Sequence, residues 1–327
     1  EIGHNHQGQI EKCHEMFRVA HECGANAVKL QKRDNRGLYT KEMYDSAYIH
    51  RNSYGATYGE HREALEFGKS EYLELKAHAE DLGIVFFATA FDRPSADFLM
   101  DIGLPAIKVA SGDLTNTPLL DYLSRLGVPL VVSTGGGTME DVERAYDIVA
   151  PNCSDVCLMQ CTSGYPAAFD ELDLRVVETF ASRFPDWVPG LSSHDNGIAM
   201  ALVAYTLGAS VVEKHFTLNR TAKGTDHSFS LTPEGLRRLV RDLRRANVAL
   251  GNGTKRRHKS EEAPLYKMAK KIVAARDLPA NHTLTAADMA VKTPNDGIPP
   301  YELDNLVGRK LRTPLLADDA LAFSDLE

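Results

Sequence analysis

The chain has 327 residues, of which 43% are hydrophobic, and a formal net charge of -8. That apolar content supports one large domain with a small one beside it, and the acidic balance excludes wholesale nucleic-acid binding. No apolar run approaches the about 20 residues needed to span a bilayer, no signal peptide is visible, and five cysteines without a paired framework point to a reducing cytoplasm.

In chain order, the first expected element is a strand cut short at Glu1, since the sequence opens there rather than on Met. An amphipathic helix follows over Ile10 to Cys23. Strand-like apolar runs then recur at 27–31, 84–88, 106–110, 129–133, 156–160, 188–192 and 210–213. They are short and mostly apolar, as in a parallel sheet covered on both faces. Helical stretches lie between them, at Ser70 to Leu82 (with Leu73, Leu75, Ala79 and Leu82 expected inward), Met139 to Val149 and Ile198 to Leu207. Gly24, Gly83, Gly103, Gly127 and Gly208 fall where a helix hands over to a strand. Counting the strand at Glu1, eight alternations over about 250 residues predict a (β/α)8 TIM barrel. A doubly wound open sheet is the alternative.

The segment from Lys32 to Lys69, with five tyrosines, is too long for an ordinary turn and is expected to shape a substrate site. Residues 1–250 form the predicted barrel, 251–263 a solvated charged linker, and 264–327 a small C-terminal module with short strands and Pro-rich turns. Cys157 and Cys161 flank what reads as strand core rather than a zinc pair.

In a barrel the site lies at the C-terminal strand ends. Polar residues converge there: Glu1, Lys29, Gln31, Thr89, Lys108, Ser111, Ser133, Thr162, Ser163, Ser192, His194, Glu213 and His215. Two histidines on adjacent strands suit a divalent metal with open positions; two hydrogen-bonded core histidines are the plainer reading. His4 and His6 are competing ligands. Lys29 and Lys108 sit inside apolar strands, where an unpaired ammonium is costly, and so point to an anion. Lys108 and Lys214 are also the candidates for a Schiff base. Hydroxyls and glycines at Ser111-Gly112, Ser133 to Gly137 and Ser192 suit phosphate. Glu1, Asp113, Glu213 and Asp226 are carboxylates for acid/base work or for sugar hydroxyls.

Ordered motifs then resemble the sialic acid synthase family over the whole length. They are residues 1–8 (EIGHNHQG), 28–32 (VKLQK), 57–62 (TYGEHR), 108–113 (KVASGD), 160–166 (QCTSGYP), His194, 213–218 (EKHFTL) and 223–228 (KGTDHS). The C-terminal part resembles the antifreeze-like (SAF) module of such enzymes. TYGEH and QCTS are most similar to the animal-type branch, which takes a 6-phosphorylated sugar and yields a 9-phosphate. The resemblance implies condensation of phosphoenolpyruvate with an N-acylmannosamine, and a homodimer whose swapped small module caps the partner's barrel. It implies that His194 and His215 hold Mn2+ or Mg2+. Lys29, Thr89, Lys108, Ser111, Ser133, Ser163 and Ser192 would line phosphoenolpyruvate; Gln31, Asp113, Tyr165, Glu213 and Asp226 would face the sugar; Glu1 would lie beside the reacting carbons.

Three departures from the free-sugar bacterial enzymes fit the phosphorylated-substrate branch: Thr293-Pro294 in place of Arg-Pro, Asp113 in place of Glu, and Ser163 in place of Asn. Lys32, Arg33, Lys41, Arg51 and Arg62 are the candidate clamps for a sugar phosphate. The implied product is therefore N-acetylneuraminate 9-phosphate, or the free acid. Alternatives are a synthase of the deaminated acid (KDN) 9-phosphate from mannose 6-phosphate, another nonulosonic acid synthase, a Schiff-base aldolase, and an inactive carbohydrate-binding protein.

Overall fold

Seven apolar runs become the strands of one sheet, all parallel and in sequential order: β1 (Ala27–Lys32), β2 (Val85–Ala90), β3 (Ile107–Val109), β4 (Leu130–Ser133), β5 (Val156–Cys161), β6 (Val188–Ser193) and β7 (Val211–Lys214). The computed structural model describes residues 1–327. Its chain divides into two units, Glu1–Leu250 and Gly251–Glu327.

The expected eighth strand is represented by Glu1 and Ile2. The Glu1 nitrogen donates to Lys214 O at 3.0 Å, Phe216 N donates to Glu1 O at 2.8 Å, and Ile2 N donates to Lys29 O at 2.9 Å. Two residues thus tie β7 to β1, the two edges of the sheet. That makes the sheet curled and barrel-like rather than open and doubly wound.

Helices join the strands on the outside. Ile10–Glu22, Lys69–Leu82, Met139–Val149 and Ala199–Thr206 stand where the hydrophobic pattern put them, and Arg93–Ile102, Thr117–Ser124, Val176–Arg183 and Pro233–Leu250 complete the set. Gly24, Gly83, Gly103, Gly127 and Gly208 all have φ between +72° and +108°, the left-handed conformation that ends a helix at little cost only for glycine. In Lys69–Leu82 the buried residues are Tyr72, Leu75 and Ala79, while Leu73 is 46% exposed. Leu75 and Ala79 face inward as expected and Leu82 packs against the core, while Tyr72 takes the inward place expected of Leu73 and packs on Phe86 and Phe98.

The alternation of side chains across each strand separates two environments. Val28, Leu30, Phe86, Ala88, Ile107, Val109, Leu130, Val132, Val156 and Leu158 join Phe17, Leu75, Leu99 and Leu120 from the helices in the main apolar core. The opposite face carries Lys29, Gln31, Thr89, Lys108, Ser133, Cys161, Ser192 and Glu213. Barrel interiors are ordinarily filled by apolar layers; here the layer nearest the C-terminal strand ends is polar.

The second unit has its own core of Ile272, Leu284, Leu306, Leu311 and Leu321 with their neighbours. Its strands β8 (Lys271–Ala274) and β9 (Met289–Lys292) pair antiparallel. Residues 251–260, at the start of the second unit, are all exposed. No helix is long and apolar enough to cross a membrane.

Candidate active site

Register brings the polar residues together. Gln31 pairs with Thr89 and Thr89 with Lys108, one level across β1, β2 and β3; Cys161 pairs with Ser192 and Ser192 with Glu213, one level across β5, β6 and β7. They open into a cavity of about 730 Å³. Every residue singled out from the sequence as catalytic or phosphoenolpyruvate-binding lines it: Glu1, Lys29, Thr89, Lys108, Ser111, Ser133, Ser163, Ser192, His194, Glu213, His215 and Asp226. So do Gln31 and Tyr165 among the sugar candidates. Asp113 does not; it lies in the turn Ser111–Asp113 and accepts a hydrogen bond from Asn116 Nδ2 at 3.0 Å.

The deep part of the cavity is a charge-balanced cluster. Lys29 Nζ donates to Thr89 Oγ1 at 3.0 Å, is in direct contact with the Glu1 carboxylate, and lies 3.9 Å from Glu213 Oε1. Burial pushes the Lys29 ammonium down to about 7, opposed by Glu213 and reinforced by Lys108 and Arg33. Burial alone would raise the Glu213 carboxyl, but Lys29 and Lys108 hold it well below the usual carboxylate range. Lys108 Nζ donates to Ser133 Oγ at 2.5 Å and to Val109 O at 2.9 Å. Gly135 N donates to Ser111 Oγ at 3.0 Å. A Cβ on Gly135 would collide with Ser163 Oγ and stand 2.9 Å from Ser111 Oγ, so glycine keeps this space open between two hydroxyls.

The two imidazoles face each other with ring centroids 5.3 Å apart. Rings whose nitrogens each stand about 2.1 Å from one ion, at tetrahedral or octahedral angles, have centroids roughly 4.5–5.5 Å apart. His194 Nδ1 lies 2.8 Å from Thr162 O, and a carbonyl only accepts, so this nitrogen carries the hydrogen and Nε2 is left as the lone-pair donor. His215 Nδ1 is buried without a hydrogen-bond partner, with Asp226 Oδ2 3.7 Å away. Burial, with His194 beside it, holds His215 well below its usual value, and hence neutral. An orphaned buried imidazole nitrogen on one ring, and a second ring at this spacing with Nε2 free, fit a divalent ion. Tyr165 covers the pair, its ring 4.3 Å from His194.

Other expectations resolve differently. His4 lines the cavity, but its nitrogens face Arg33 at 3.1 Å and Arg62 at 3.3 Å. His6 Nδ1 accepts from Gly8 N, and its ring stacks on Phe67. Neither competes with His194 and His215. Lys214 does not reach the cavity; its ammonium is buried against Asp195 Oδ1 at 2.7 Å. Arg33 and Arg62 line the cavity, whereas Lys41 and Arg51 are exposed and Lys32 is bound to Glu66 and Phe67 O. His50, Asn52, Cys161 and Thr225 line it without having been singled out. Only the tyrosine-rich length of 32–69 hinted at the first two; Cys161, one residue before the strand-end Thr162, had a weak positional signal.

A barrel-like parallel sheet with this polar mouth defines an enzyme that handles small anionic molecules at its strand ends. Residues 16–255 match the NeuB family and residues 271–327 the SAF domain. The chain belongs to the NeuB family. N-acetylneuraminate-9-phosphate synthase of Mus musculus is 39% identical over 328 residues, spanning 100% of this chain and 91% of that protein. The solved N-acetylneuraminic acid (sialic acid) synthetase of Leptospira borgpetersenii is 30% identical, with a TM-score of 0.70 over 80% of this chain and 87% of that one. A spore coat polysaccharide biosynthesis protein E from Chromobacterium violaceum superimposes at a TM-score of 0.77, 26% identical, over 100% and 98%.

Proposed function

We propose that this chain condenses phosphoenolpyruvate with N-acetylmannosamine 6-phosphate to give N-acetylneuraminate 9-phosphate and inorganic phosphate. The observation that carries the reading is one cavity lined both by two imidazoles 5.3 Å apart and by two buried lysines that are hydrogen-bonded to hydroxyls. Full-length similarity to synthases of that product supports it.

Lys29, Lys108, Ser111, Ser133 and Ser163 hold the phosphate and carboxylate of the enol phosphate, so that its C3 meets the acceptor's C1. Gln31, Tyr165, Glu213 and Asp226 orient the open-chain sugar. Glu1 would move a proton at the reacting carbons, a role supported by its contact with Lys29 and its hydrogen bond from Gly3 N at 2.5 Å inside the cavity. The C3–C1 bond forms as the C2=C3 π pair attacks and the aldehyde C=O π bond opens, its oxygen taking a proton; water adds at C2 and loses its protons as the C2–O bond to phosphate breaks, leaving the C2 ketone and inorganic phosphate. His194 and His215 would hold Mn2+ or Mg2+; no third ligand gathers with them, so substrate and water would fill the remaining positions. Bound there, the ion supplies Lewis-acid polarisation of the aldehyde oxygen.

Residues 264–327 would cap the cavity of a partner chain in a homodimer, which sedimentation velocity tests. A cytoplasmic setting agrees with five free cysteines.

Phosphate release from phosphoenolpyruvate against N-acetylmannosamine 6-phosphate, N-acetylmannosamine and mannose 6-phosphate tests the reaction. Turnover with the first is expected; release only with mannose 6-phosphate would reassign the product. His215→Ala is expected to abolish condensation with the thermal transition retained. Wild-type turnover surviving thorough chelation, or borohydride trapping of pyruvate on the protein, would overturn the metal reading.

A further inference from the structure

Lys29 and Lys108 are balanced by Glu1 and Glu213 in the deep part of the cavity. Beyond Gln31, on the loop side, the balance changes. Arg33 is 7% exposed, its guanidinium carbon over the Phe91 ring, 3.7 Å from the centroid. Its Nη2 donates to Gln31 Oε1 at 2.7 Å, and its nearest carboxylate, Glu66, is 4.0 Å away and holds Lys32 through the other oxygen. Arg62 has no carboxylate partner: Nε and Nη2 share the Tyr58 hydroxyl at 3.0 and 2.7 Å. Between the two arginines stands His4, with a guanidinium against each ring nitrogen. A neutral imidazole accepts only one hydrogen bond, so one of these two contacts sets donor against donor. Glu66 Oε1 is meanwhile buried without a hydrogen bond, too far from Arg33 to receive one.

Two guanidinium groups packed in one wall, with no carboxylate hydrogen-bonded to either and only the more distant Asp226 acting on Arg62, are costly to bury unless an anion joins them. Their planar forks match a phosphoryl group. Because Gln31 binds Arg33 directly and lines the same cavity, that anion would sit at the end of the acceptor remote from the deep lysines. We propose that Arg33 and Arg62 form the subsite for the 6-phosphoryl group of the acceptor sugar, and that this pair makes the enzyme select a phosphorylated over a free N-acylmannosamine. This rests on the condensation proposed above and names what that site reads.

The test compares kcat/KM for N-acetylmannosamine 6-phosphate and for N-acetylmannosamine in wild type, Arg62→Gln and Arg62→Lys. The preference for the phosphorylated sugar is expected to fall about 10- to 100-fold in Arg62→Gln, the scale of one charge-assisted hydrogen bond. Arg62→Lys should recover part of it and serves as the test variant should the Gln variant not fold. An unchanged ratio overturns the subsite and leaves the condensation standing. Calorimetric titration with N-acetylmannosamine 6-phosphate, without phosphoenolpyruvate, reads the subsite even if wild type proves inactive. Affinity about 10- to 100-fold weaker in the variant supports it, and equal affinity overturns it.

Discussion

Gly135 shows how closely this site is fitted. Its N–H holds Ser111, and the space where a Cβ would stand is occupied by Ser163 Oγ. Gly135→Ala is therefore expected to displace one hydroxyl and raise the KM for phosphoenolpyruvate about tenfold or more, while the thermal transition moves little; misplacing a positioning group by an ångström has rate costs of that order or larger. An unchanged KM would remove Ser111 and Ser163 from the phosphate site. Lys108→Ala acts on the same substrate by charge. Its Ser133 and Val109 O contacts leave one ammonium hydrogen free to donate. A strong rise in the phosphoenolpyruvate KM is expected, with the KM for the sugar less affected; initial-rate kinetics with each substrate varied in turn separates the two.

At the scale of elements, β6 and β7 carry the imidazoles just past their ends, and a buried ion pair fixes those ends. Ser193 is in register with Lys214, whose ammonium donates to Asp195 O at 2.8 Å and to Asp195 Oδ1 at 2.7 Å; Ser193 Oγ also bonds Asp195. Asp195 follows His194 and Lys214 precedes His215, so the pair holds both histidine backbones. Lys214→Met is expected to destabilise the barrel by about 3–5 kcal/mol, because it strands a buried carboxylate. Lys214→Met with Asp195→Leu should recover much of that in denaturant unfolding; a double variant no more stable than Lys214→Met would mean packing rather than charge sets the cost. These strands were legible in the sequence because a parallel sheet covered on both faces leaves short apolar runs, and four of the seven runs close on a polar residue that lines the cavity: Gln31, Ser133, Ser192 and Glu213. Leu73 misled because a stripe of leucines does not reveal which residue meets the neighbouring helix; Tyr72 does. The direction of Lys214 was hidden as well: one residue further along β7 reverses the face, so it points at Asp195 while Glu213 points into the cavity. Arg33 and Arg62 could be proposed only among five basic residues, since a 36-residue segment between β1 and the next long helix folds by contacts that no local pattern records.

At the scale of the whole molecule, the two units have separate apolar cores, and the smaller one leans on a single buried carboxylate. Asp288, 2% exposed, accepts from Arg276 Nη2 at 2.6 Å, His282 Nε2 at 2.9 Å, and Thr285 N and Oγ1 at 2.9 and 2.7 Å. It thereby joins the turn at 276–285 to the start of β9. A domain of this size buries a smaller share of its surface than a large one and is marginal on that account. Hydrogen bonds from His282 and Thr285, with Arg276 adding to them, hold the Asp288 carboxyl below its ordinary range. Its folded value is depressed, so the unfolded chain binds the proton first. The stabilisation is complete above about pH 4, the unfolded value, and drains away as pH falls through the folded one. Asp288→Asn is expected to cost the small unit about 1–3 kcal/mol near neutral pH. Calorimetry of the full chain should show one transition lowered and the barrel's unmoved, and the gap between wild type and variant should narrow below pH 4. A gap that is constant down to pH 2 would mean that the shape of Asp288, not its charge, holds the turn.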